Sequence, residues 1–234
     1  VSFAYNEQDY ILKDISFEIK EGQTVAFVGA TGAGKSSIIN ILSRFYEYQK
    51  GSINVDGKDL RELTLEDIRQ NIAVVLQDVF LFSDTIMNNI TLNDSTIKRE
   101  QVIEASKFVG LHDFIMKLPG KYDYNVKERG AALSTGQRQL ISFVRAYVYN
   151  PKILVLDEAT SSIDTETEEL IQTAIEKLTK GRTSILVAHR LSTIRNADKI
   201  IVLDKGKLME QGTHKELLEQ NGIYKNLYEI QFDD

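Results

Sequence analysis

The chain has 234 residues, of which 42% are hydrophobic and 26% are charged, a composition typical of a globular domain with one sizeable core. Its formal net charge of -6, from 28 Lys and Arg against 34 Asp and Glu, disfavours nucleic acid as a partner. Because the chain has no cysteine, disulfides and thiolate metal sites are excluded, and a reducing compartment is favoured.

No apolar run approaches the length of about 18 residues that a membrane-spanning helix needs. The first residues, VSFAYN, form neither a basic nor an apolar leader. We therefore expect any membrane role to come through a partner segment. The chain opens on Val1 without a methionine and enters a strand-like pattern at once, as an excised domain would.

Short alternating segments near the N-terminus predict half-exposed antiparallel strands. Residues 15–19 alternate apolar with polar side chains, and residues 51–55 lead into a turn at Asp56 and Gly57. Other segments are continuous apolar runs, typical of strands buried on both faces of a parallel sheet. These runs cover residues 24–28, 153–156, 184–188 and 199–203.

Helical spacing follows Gly34, where the apolar residues are Ile38, Ile39, Ile41, Leu42 and Phe45. Between residues 78 and 150 helical patterns replace the strand signal, at 101–109 and at 137–149. The pair Asn150-Pro151 predicts the end of the second helix, since a residue before proline avoids the helical region. Thr213 and Glu216 predict a capping box for a helix that stops near residues 221–222.

These patterns predict one α/β domain over residues 1–234, with a mainly parallel sheet. Residues 1–77 and 151–234 would form the core together with an N-terminal antiparallel β subdomain. Residues 78–150 would form an inserted α-helical subdomain.

The segment GATGAGKS fits the phosphate-loop pattern GxxxxGKS at every fixed position, between a predicted strand and a predicted helix. Its glycines let backbone N–H groups turn inward around phosphate oxygens at a helix N-terminus. Lys35 would supply a positive charge for the β and γ phosphates, and Ser36 would offer its hydroxyl to Mg2+. The flanking elements disfavour the alternative, a glycine-rich turn that happens to hold a lysine. The candidate nucleotide-binding residues are Gly29, Ala30, Thr31, Gly32, Ala33, Gly34, Lys35, Ser36 and Ser37.

The segment ILVLDE places Asp157 at the C-terminal end of a buried strand, where ligands of open α/β sheets bind. There Asp157 can hold Mg2+ through a water molecule, and Glu158 can polarise an attacking water. Two acids after an apolar run could instead be a solvated strand end. The preceding phosphate loop favours the functional interpretation.

The segment LSTGQ at residues 133–137 completes an ordered set with the phosphate loop and ILVLDE. From end to end, the chain resembles the nucleotide-binding domain of an ATP-binding cassette (ABC) transporter, whose signature LSGGQ it matches in four of five positions. The resemblance implies a P-loop NTPase core that binds ATP and Mg2+ and hydrolyses ATP. It also implies a partner, a second nucleotide-binding domain placed head to tail with this one.

The resemblance assigns roles to single residues. Tyr5 would stack on adenine, although an aromatic residue on a sheet face is the alternative. Gln77 would reach Mg2+ and the attacking water and would sense the membrane domain. His189 would contact the γ phosphate. Asp164, after Ser162, would touch the opposite subunit, and it is also a good N-cap for the helix that follows.

The signature lies at the positive end of a helix that begins near Gln137. The resemblance implies that this end closes over the γ phosphate bound by the partner. Ser134, Gly136 and Gln137 are its candidate contacts. The candidate catalytic residues are Glu158, His189, Gln77 and Lys35, and the candidate Mg2+ ligands are Ser36, Gln77 and Asp157.

The segment NVKERG at residues 125–130 resembles TxVGERG of ABC exporters, in which Glu128 would contact the cytoplasmic ends of membrane helices. Asn125 and Lys127 depart from that pattern. The match implies an exporter of the multidrug and lipid type, at the cytoplasmic face of a membrane, which in a bacterium is the inner membrane. Its transmembrane domain would belong to the same chain or to a companion chain.

The main departure from the family is Thr135, which stands where the signature has glycine. A β-branched residue resists positive φ and close approach to phosphate, so this signature could be impaired and face a weaker site in a heterodimer. Alternatively, threonine is simply tolerated in a homodimer. Leu140, in place of the usual arginine, is a second departure.

Two other functions stay open. A non-transport ABC-type ATPase acting on DNA or ribosomes would bring a long coiled coil or a tandem cassette together with basic patches, which this sequence lacks. A nucleotide-gated interaction module without turnover would lack Glu158 or His189, and both residues are present.

Overall fold

The computed structural model of the chain describes residues 1–6, 8–157, 163–187 and 191–232. Its strands are β1 (Phe3–Ala4), β2 (Tyr10–Leu12), β3 (Thr24–Val28), β4 (Asn54–Val55), β5 (Lys58–Asp59), β6 (Ile72–Val75), β7 (Ile153–Asp157), β8 (Thr183–Val187), β9 (Lys199–Asp204) and β10 (Lys207–Gly212). Its α-helices are α1 (Lys35–Leu42), α2 (Leu65–Asn71), α3 (Ile86–Thr91), α4 (Arg99–Val109), α5 (His112–Lys117), α6 (Thr135–Tyr149), α7 (Thr165–Thr179), α8 (Leu191–Arg195), α9 (His214–Glu219) and α10 (Ile223–Phe232).

The chain forms two compact units. We call them the core unit, whose described residues fall within Val1–Val74, Lys152–Glu158 and Gly181–Asp234, and the helical unit, whose described residues fall within Val75–Pro151 and Ala159–Lys180. Among the residues that the structure describes, no helix is both long enough and apolar enough to cross a membrane.

A sheet of six strands in the order β10-β9-β3-β8-β7-β6 is the centre of the core unit. Parallel ladders join β9 to β3, β3 to β8, and β8 to β7, whereas β10 pairs antiparallel with β9. The middle residues of these parallel strands are buried, since helices cover both faces of such a sheet. The predicted α/β fold with a mainly parallel sheet is confirmed.

The antiparallel part of the core unit is smaller than the sequence indicates. β1 pairs with β2, and β4 pairs with β5 across Asp56 and Gly57, whose φ values of 50° and 80° suit a tight hairpin turn. The strand predicted at residues 15–19 is wrong, because no ladder forms there. Ile15 is buried and Ser16 is exposed, so the alternation of apolar and polar residues reflects burial of one side of an extended segment that pairs with no strand.

Helix α1 begins directly after the phosphate loop and buries Ile38, Ile39 and Ile41. Phe45, predicted to share this apolar face, lies beyond the end of the helix and is 56% exposed. Arg44 adopts a φ of 52°, which breaks the helical path before Phe45. This part of the helix prediction is wrong.

The helical unit is built around α6, which contacts α3, α4 and α7. The helices predicted at 101–109 and 137–149 are present as α4 and α6, and Asn150 ends α6 with a φ of 44°. Helix α7 follows β7 in the chain but packs with α4 and α6 through buried residues such as Ile171 and Ala174. The boundaries of the helical subdomain at residues 78 and 150 stay a prediction. The structure adds that α7 belongs to the helical unit, although it follows residue 150 in the chain.

Candidate nucleotide-binding site

The phosphate loop connects β3 to α1 through a chain of tight turns. Gly32 and Gly34 have φ values of 81° and 108°, a region that favours glycine. A Cβ added to Gly34 would also lie 2.7 Å from Leu12 Cδ2. The first turn of α1 carries no acidic side chain, so its free N–H groups and the positive end of its dipole are suited to bind an anion.

Lys35, the first residue of α1, is only 7% exposed and turns back into the loop. Its Nζ donates hydrogen bonds to the carbonyl oxygens of Gly29 and Ala30, at 2.6 and 3.2 Å. Burial lowers the pKa of Lys35, and the nearby carboxylate of Asp157 partly offsets this effect. The loop therefore surrounds a desolvated cation, whose attraction for an anion is stronger than it would be in water.

Asp157 ends β7, where it pairs with Val187 of β8, and it lies close enough to Lys35 for their charges to interact. Ser36 is exposed in the first turn of α1. A hydroxyl and a carboxylate are oxygen ligands that Mg2+ accepts. Within the described ranges no group of three or more His, Cys, Asp or Glu side chains could hold a metal. The residues thus fit a Mg2+ ion that takes its other ligands from water and substrate phosphates.

Tyr5 follows β1, and this residue is 47% exposed. The phenol oxygen lies 3.1 Å from Ser37 Oγ and accepts a hydrogen bond from Asn40 Nδ2 at 2.8 Å. Ser37 and Asn40 belong to α1, so Tyr5 is bonded to the helix that also carries Lys35. Asn40 was not predicted as a site residue, although a polar residue between Ile39 and Ile41 in the helix after the phosphate loop is a signal that could have indicated this role.

Within the helical unit, the signature forms the start of α6. Ser134 is the N-cap: its Oγ accepts from Gln137 N at 3.2 Å, and its own N donates to Gln137 Oε1 at 2.9 Å. This capping box gives Gln137 a local structural role. Ser134 is exposed, and the first turn of α6 has no acidic side chain, so the end of the helix is suited to an anion.

Thr135 has helical backbone geometry as the first residue of α6, and it is not among the residues with positive φ. The expectation that threonine strains this position through a positive φ is therefore wrong. Its Oγ1 accepts a hydrogen bond from Arg138 Nη2 at 3.1 Å. Leu140, the second departure from the family, is buried with 1% exposure in α6.

Gly136 is constrained by packing. A Cβ at this position would collide with Thr167 Cγ2 of α7 and would lie 3.1 Å from Ile163 Cγ2. Asp164 caps α7 as predicted, since its Oδ1 accepts from Thr167 N at 2.9 Å, and its side chain is exposed. The signature helix and the N-terminus of α7 are thus in close contact.

Gln77 lines a cleft of the helical unit with a volume of about 480 Å³. The cleft is formed by Gln77, Asp78, Val79, Phe80, Arg129, Ala131, Thr135 and Arg138. Residues after β6 and residues near the exporter-like segment line it together. In that segment Glu128 is exposed at the start of a single 3-10 turn. Phe80 is 57% exposed and packs edge-to-face on Phe82 at 5.1 Å. Arg129, Arg138 and Phe80 were missed by the sequence analysis, which had no means of placing them beside Gln77.

The structure thus brings Tyr5, the phosphate loop and Asp157 together in the core unit, and Gln77, Glu128 and the signature together in the helical unit. Glu158, Ser162 and His189 lie outside the described residues, so their predicted roles stay predictions.

Residues 12–161 match the sequence model of a protein family described as ABC transporter. A Bacillus subtilis protein named as multidrug resistance ABC transporter ATP-binding/permease protein YheH is 50% identical over 231 residues, which is 99% of this chain and 34% of that protein. A Streptococcus pneumoniae protein named as ABC transporter ATP-binding protein exp8 is 52% identical over 231 residues, or 99% of this chain and 40% of its own.

A Staphylococcus aureus protein, named as a multidrug export ATP-binding/permease protein, is 50% identical over 232 residues, again 99% of this chain and 40% of that one. Among solved structures, a bacterial Atm1-family ABC exporter with ATP bound has a similar fold, with a TM-score of 0.93 and a sequence identity of 43%. The match covers 100% of this chain and 41% of that chain. The chain spans 34–40% of the length of these sequence relatives.

Proposed function

The chain belongs to the ABC transporter family, and on this premise we propose that it is the ATP-binding and ATP-hydrolysing domain of an exporter, in which ATP hydrolysis drives transport across a membrane. The observation that carries the proposal is the position of Lys35. Its buried ammonium lies inside the phosphate loop and interacts with Asp157 at the end of β7.

Phosphoryl transfer to water passes through a loose transition state, so the protein contributes mainly by positioning and by stabilising charge. The N-terminus of α1 and Lys35 hold the β and γ phosphates. Glu158 orients the attacking water in line with the γ phosphate, and His189 and Gln77 contact the γ phosphate and this water. Tyr5 stacks on the adenine.

Mg2+, when bound, neutralises phosphate charge and orients the γ phosphoryl group. Ser36 would hold it directly through its hydroxyl, Asp157 would hold it through a water molecule, and Gln77 would approach it from the loop after β6. The exposed hydroxyl of Ser36 supports this assignment, as does the proximity of Asp157 to Lys35.

The complete site is formed by two chains placed head to tail. Ser134 and the N–H groups at the start of α6 bind the γ phosphate that the partner chain holds in its phosphate loop. Two features support this role: Ser134 is exposed, and the first turn of α6 has no acidic side chain. Asp164, exposed at the N-cap of α7, contacts the opposite chain.

A transmembrane domain is the second partner, at the cytoplasmic face of the membrane. The cleft that contains Gln77 and Phe80 offers exposed apolar surface beside the exporter-like segment of Glu128. Relatives named as ATP-binding/permease proteins support this partner. A relative named as a multidrug export protein matches 99% of this chain, which favours export over a non-transport ATPase.

Binding and turnover of ATP by the chain test this proposal. A Lys35→Ala variant should bind ATP at least about tenfold more weakly, because a charge-assisted hydrogen bond is worth about 1.5–3 kcal/mol. Lys215→Ala is the matched control, since that lysine side chain is 87% exposed. Hydrolysis per chain should rise with chain concentration because each complete site needs two chains. Equal ATP affinity of the Lys35→Ala variant and the wild type would overturn the proposal.

A further inference from the structure

We infer that Asn40 and Tyr46 are positioning residues, which hold the ring of Tyr5 as a base-stacking surface in fixed register with the phosphate loop. The inference rests on the proposed function, since it concerns how the same site recognises the purine base of a nucleoside triphosphate. It adds residues of α1 and of the following loop to the nucleotide site.

The hydroxyl of Tyr5 is the first point of attachment. Asn40 Nδ2 is only a donor, so the phenol oxygen accepts from it at 2.8 Å. Ser37 Oγ lies 3.1 Å from the same phenol oxygen, and either hydroxyl can donate in this second hydrogen bond. With both partners in place, rotation of the Tyr5 side chain away from α1 breaks two hydrogen bonds.

Ring contacts are the second point of attachment. The ring centroid of Tyr5 lies 4.7 Å from that of Phe3 and 4.8 Å from that of Tyr46, in edge-to-face arrangements. The centroids of Phe3 and Tyr46 are themselves 6.0 Å apart, so the three rings form one cluster. Despite these contacts Tyr5 is 47% exposed, so part of its aromatic surface is available for a flat base.

The backbone before Tyr5 is the third point of attachment. Ala4 N donates to Gln49 Oε1 at 2.8 Å, and Gln49 Nε2 donates back to Ala4 O at 3.0 Å. Gln49 lies in the same loop as Tyr46. The loop after α1 therefore contacts the ring of Tyr5 through Tyr46 and binds the end of β1 through Gln49.

These contacts connect two parts of one ligand site. Ser37 and Asn40 follow Lys35 by two and five residues in the same helix, that is, by about 3 and 7.5 Å along its axis. A helix is stiff over this length, so the Tyr5 ring and the phosphate loop keep a constant separation. A nucleoside triphosphate then meets a prearranged site for both its ends, and binding requires less ordering of side chains.

Tyr5→Phe and Asn40→Ala test the inference, because both remove the 2.8 Å hydrogen bond and keep the ring contacts, and Tyr5→Phe also removes the bond to Ser37. We expect Asn40→Ala to raise the Kd for ATP about three- to tenfold, the effect of losing one hydrogen bond, and Tyr5→Phe to raise it by at least as much. The double variant should be no weaker than the weaker single variant, since both act on one interaction. Affinity for tripolyphosphate, which has no base, should stay constant.

Asn71→Ala is the control, since Asn71 makes a similar 2.8 Å bond to Asp67 O within α2 and has no contact with Tyr5. A purely structural role of Asn40 would lower the affinities for ATP and tripolyphosphate together, and that result would overturn the inference. Unchanged ATP affinity in both Tyr5→Phe and Asn40→Ala would also overturn it. A wild-type chain that binds neither ligand would instead contradict the proposed function itself.

Discussion

The hydroxyl of Thr135 accepts a hydrogen bond from Arg138 at 3.1 Å, while the same guanidinium donates to Leu133 O at 3.0 Å. Arg138 thus connects the residues on both sides of Ser134, the N-cap of α6. Because Thr135 also has helical geometry, the threonine is accommodated in this turn without backbone strain. Backbone strain at Thr135 is therefore no reason to expect an impaired signature, and the choice between a homodimer and a heterodimer stays a prediction.

A Thr135→Gly variant tests this interpretation. We expect no gain in the rate of phosphate release, because no strain is relieved. We also expect a loss of about 1 kcal/mol in the free energy of unfolding, because the variant loses the hydrogen bond from Arg138 to Thr135 Oγ1 and glycine is a slightly poorer helix residue than threonine. Phosphate release and urea unfolding measure the two quantities. A severalfold gain in phosphate release would instead support an impaired signature and a heterodimer.

The contact between Gly136 and Thr167 gives a second prediction. Gly136→Ala should lower the free energy of unfolding by about 1–3 kcal/mol, because the new methyl group would collide with Thr167 Cγ2. Gly136→Ala combined with Thr167→Ser should recover part of this loss, since serine lacks Cγ2 but keeps the hydroxyl. Recovery should be incomplete because Ile163 Cγ2 also lies 3.1 Å from the added Cβ. If the losses of unfolding free energy measured for Gly136→Ala and for Thr167→Ser alone simply add in the double variant, the contact with Thr167 is not the reason that this position requires glycine.

Acidification should weaken the attachment of α10 to α9. His214 Nδ1 lies 2.6 Å from Tyr224 OH, and burial, together with the charge of Arg195, lowers the pKa of His214 from its ordinary value of 6.5. The unfolded chain therefore takes up the proton first, so stability present above pH 6.5 is lost as the pH falls through the lowered pKa of the folded state.

Urea unfolding of the wild type and of His214→Gln at about pH 7.5 and pH 5.5 measures this effect. Glutamine does not titrate, so the variant should lose less stability than the wild type between the two pH values. An equal loss in both proteins would assign the pH dependence to other groups.

Continuous apolar runs and fixed motifs made much of this fold predictable. The run at residues 24–28 followed by GATGAGKS predicts a strand, a phosphate loop and a helix, and β3 and α1 occupy these places. Such motifs are readable because they depend on local backbone geometry, in which Gly34 has a positive φ and Lys35 starts a helix.

Contacts between distant segments were not predictable. The alternation at residues 15–19 gives burial but does not show whether the segment pairs with another strand, and no ladder forms there. The requirement for Gly136 comes from Thr167 on α7, about 30 residues further along the chain, and not from backbone geometry. The strain expected at Thr135 assumed a backbone conformation that the sequence does not specify.

Phosphate release from ATP by Glu158→Gln, compared with the wild type in the presence of Mg2+, tests the central claim most directly. Glutamine keeps the size of the side chain but cannot act as a base. The account predicts that the variant binds ATP as the wild type does and releases phosphate at least about 100-fold more slowly. Phosphate release at the wild-type rate would contradict it.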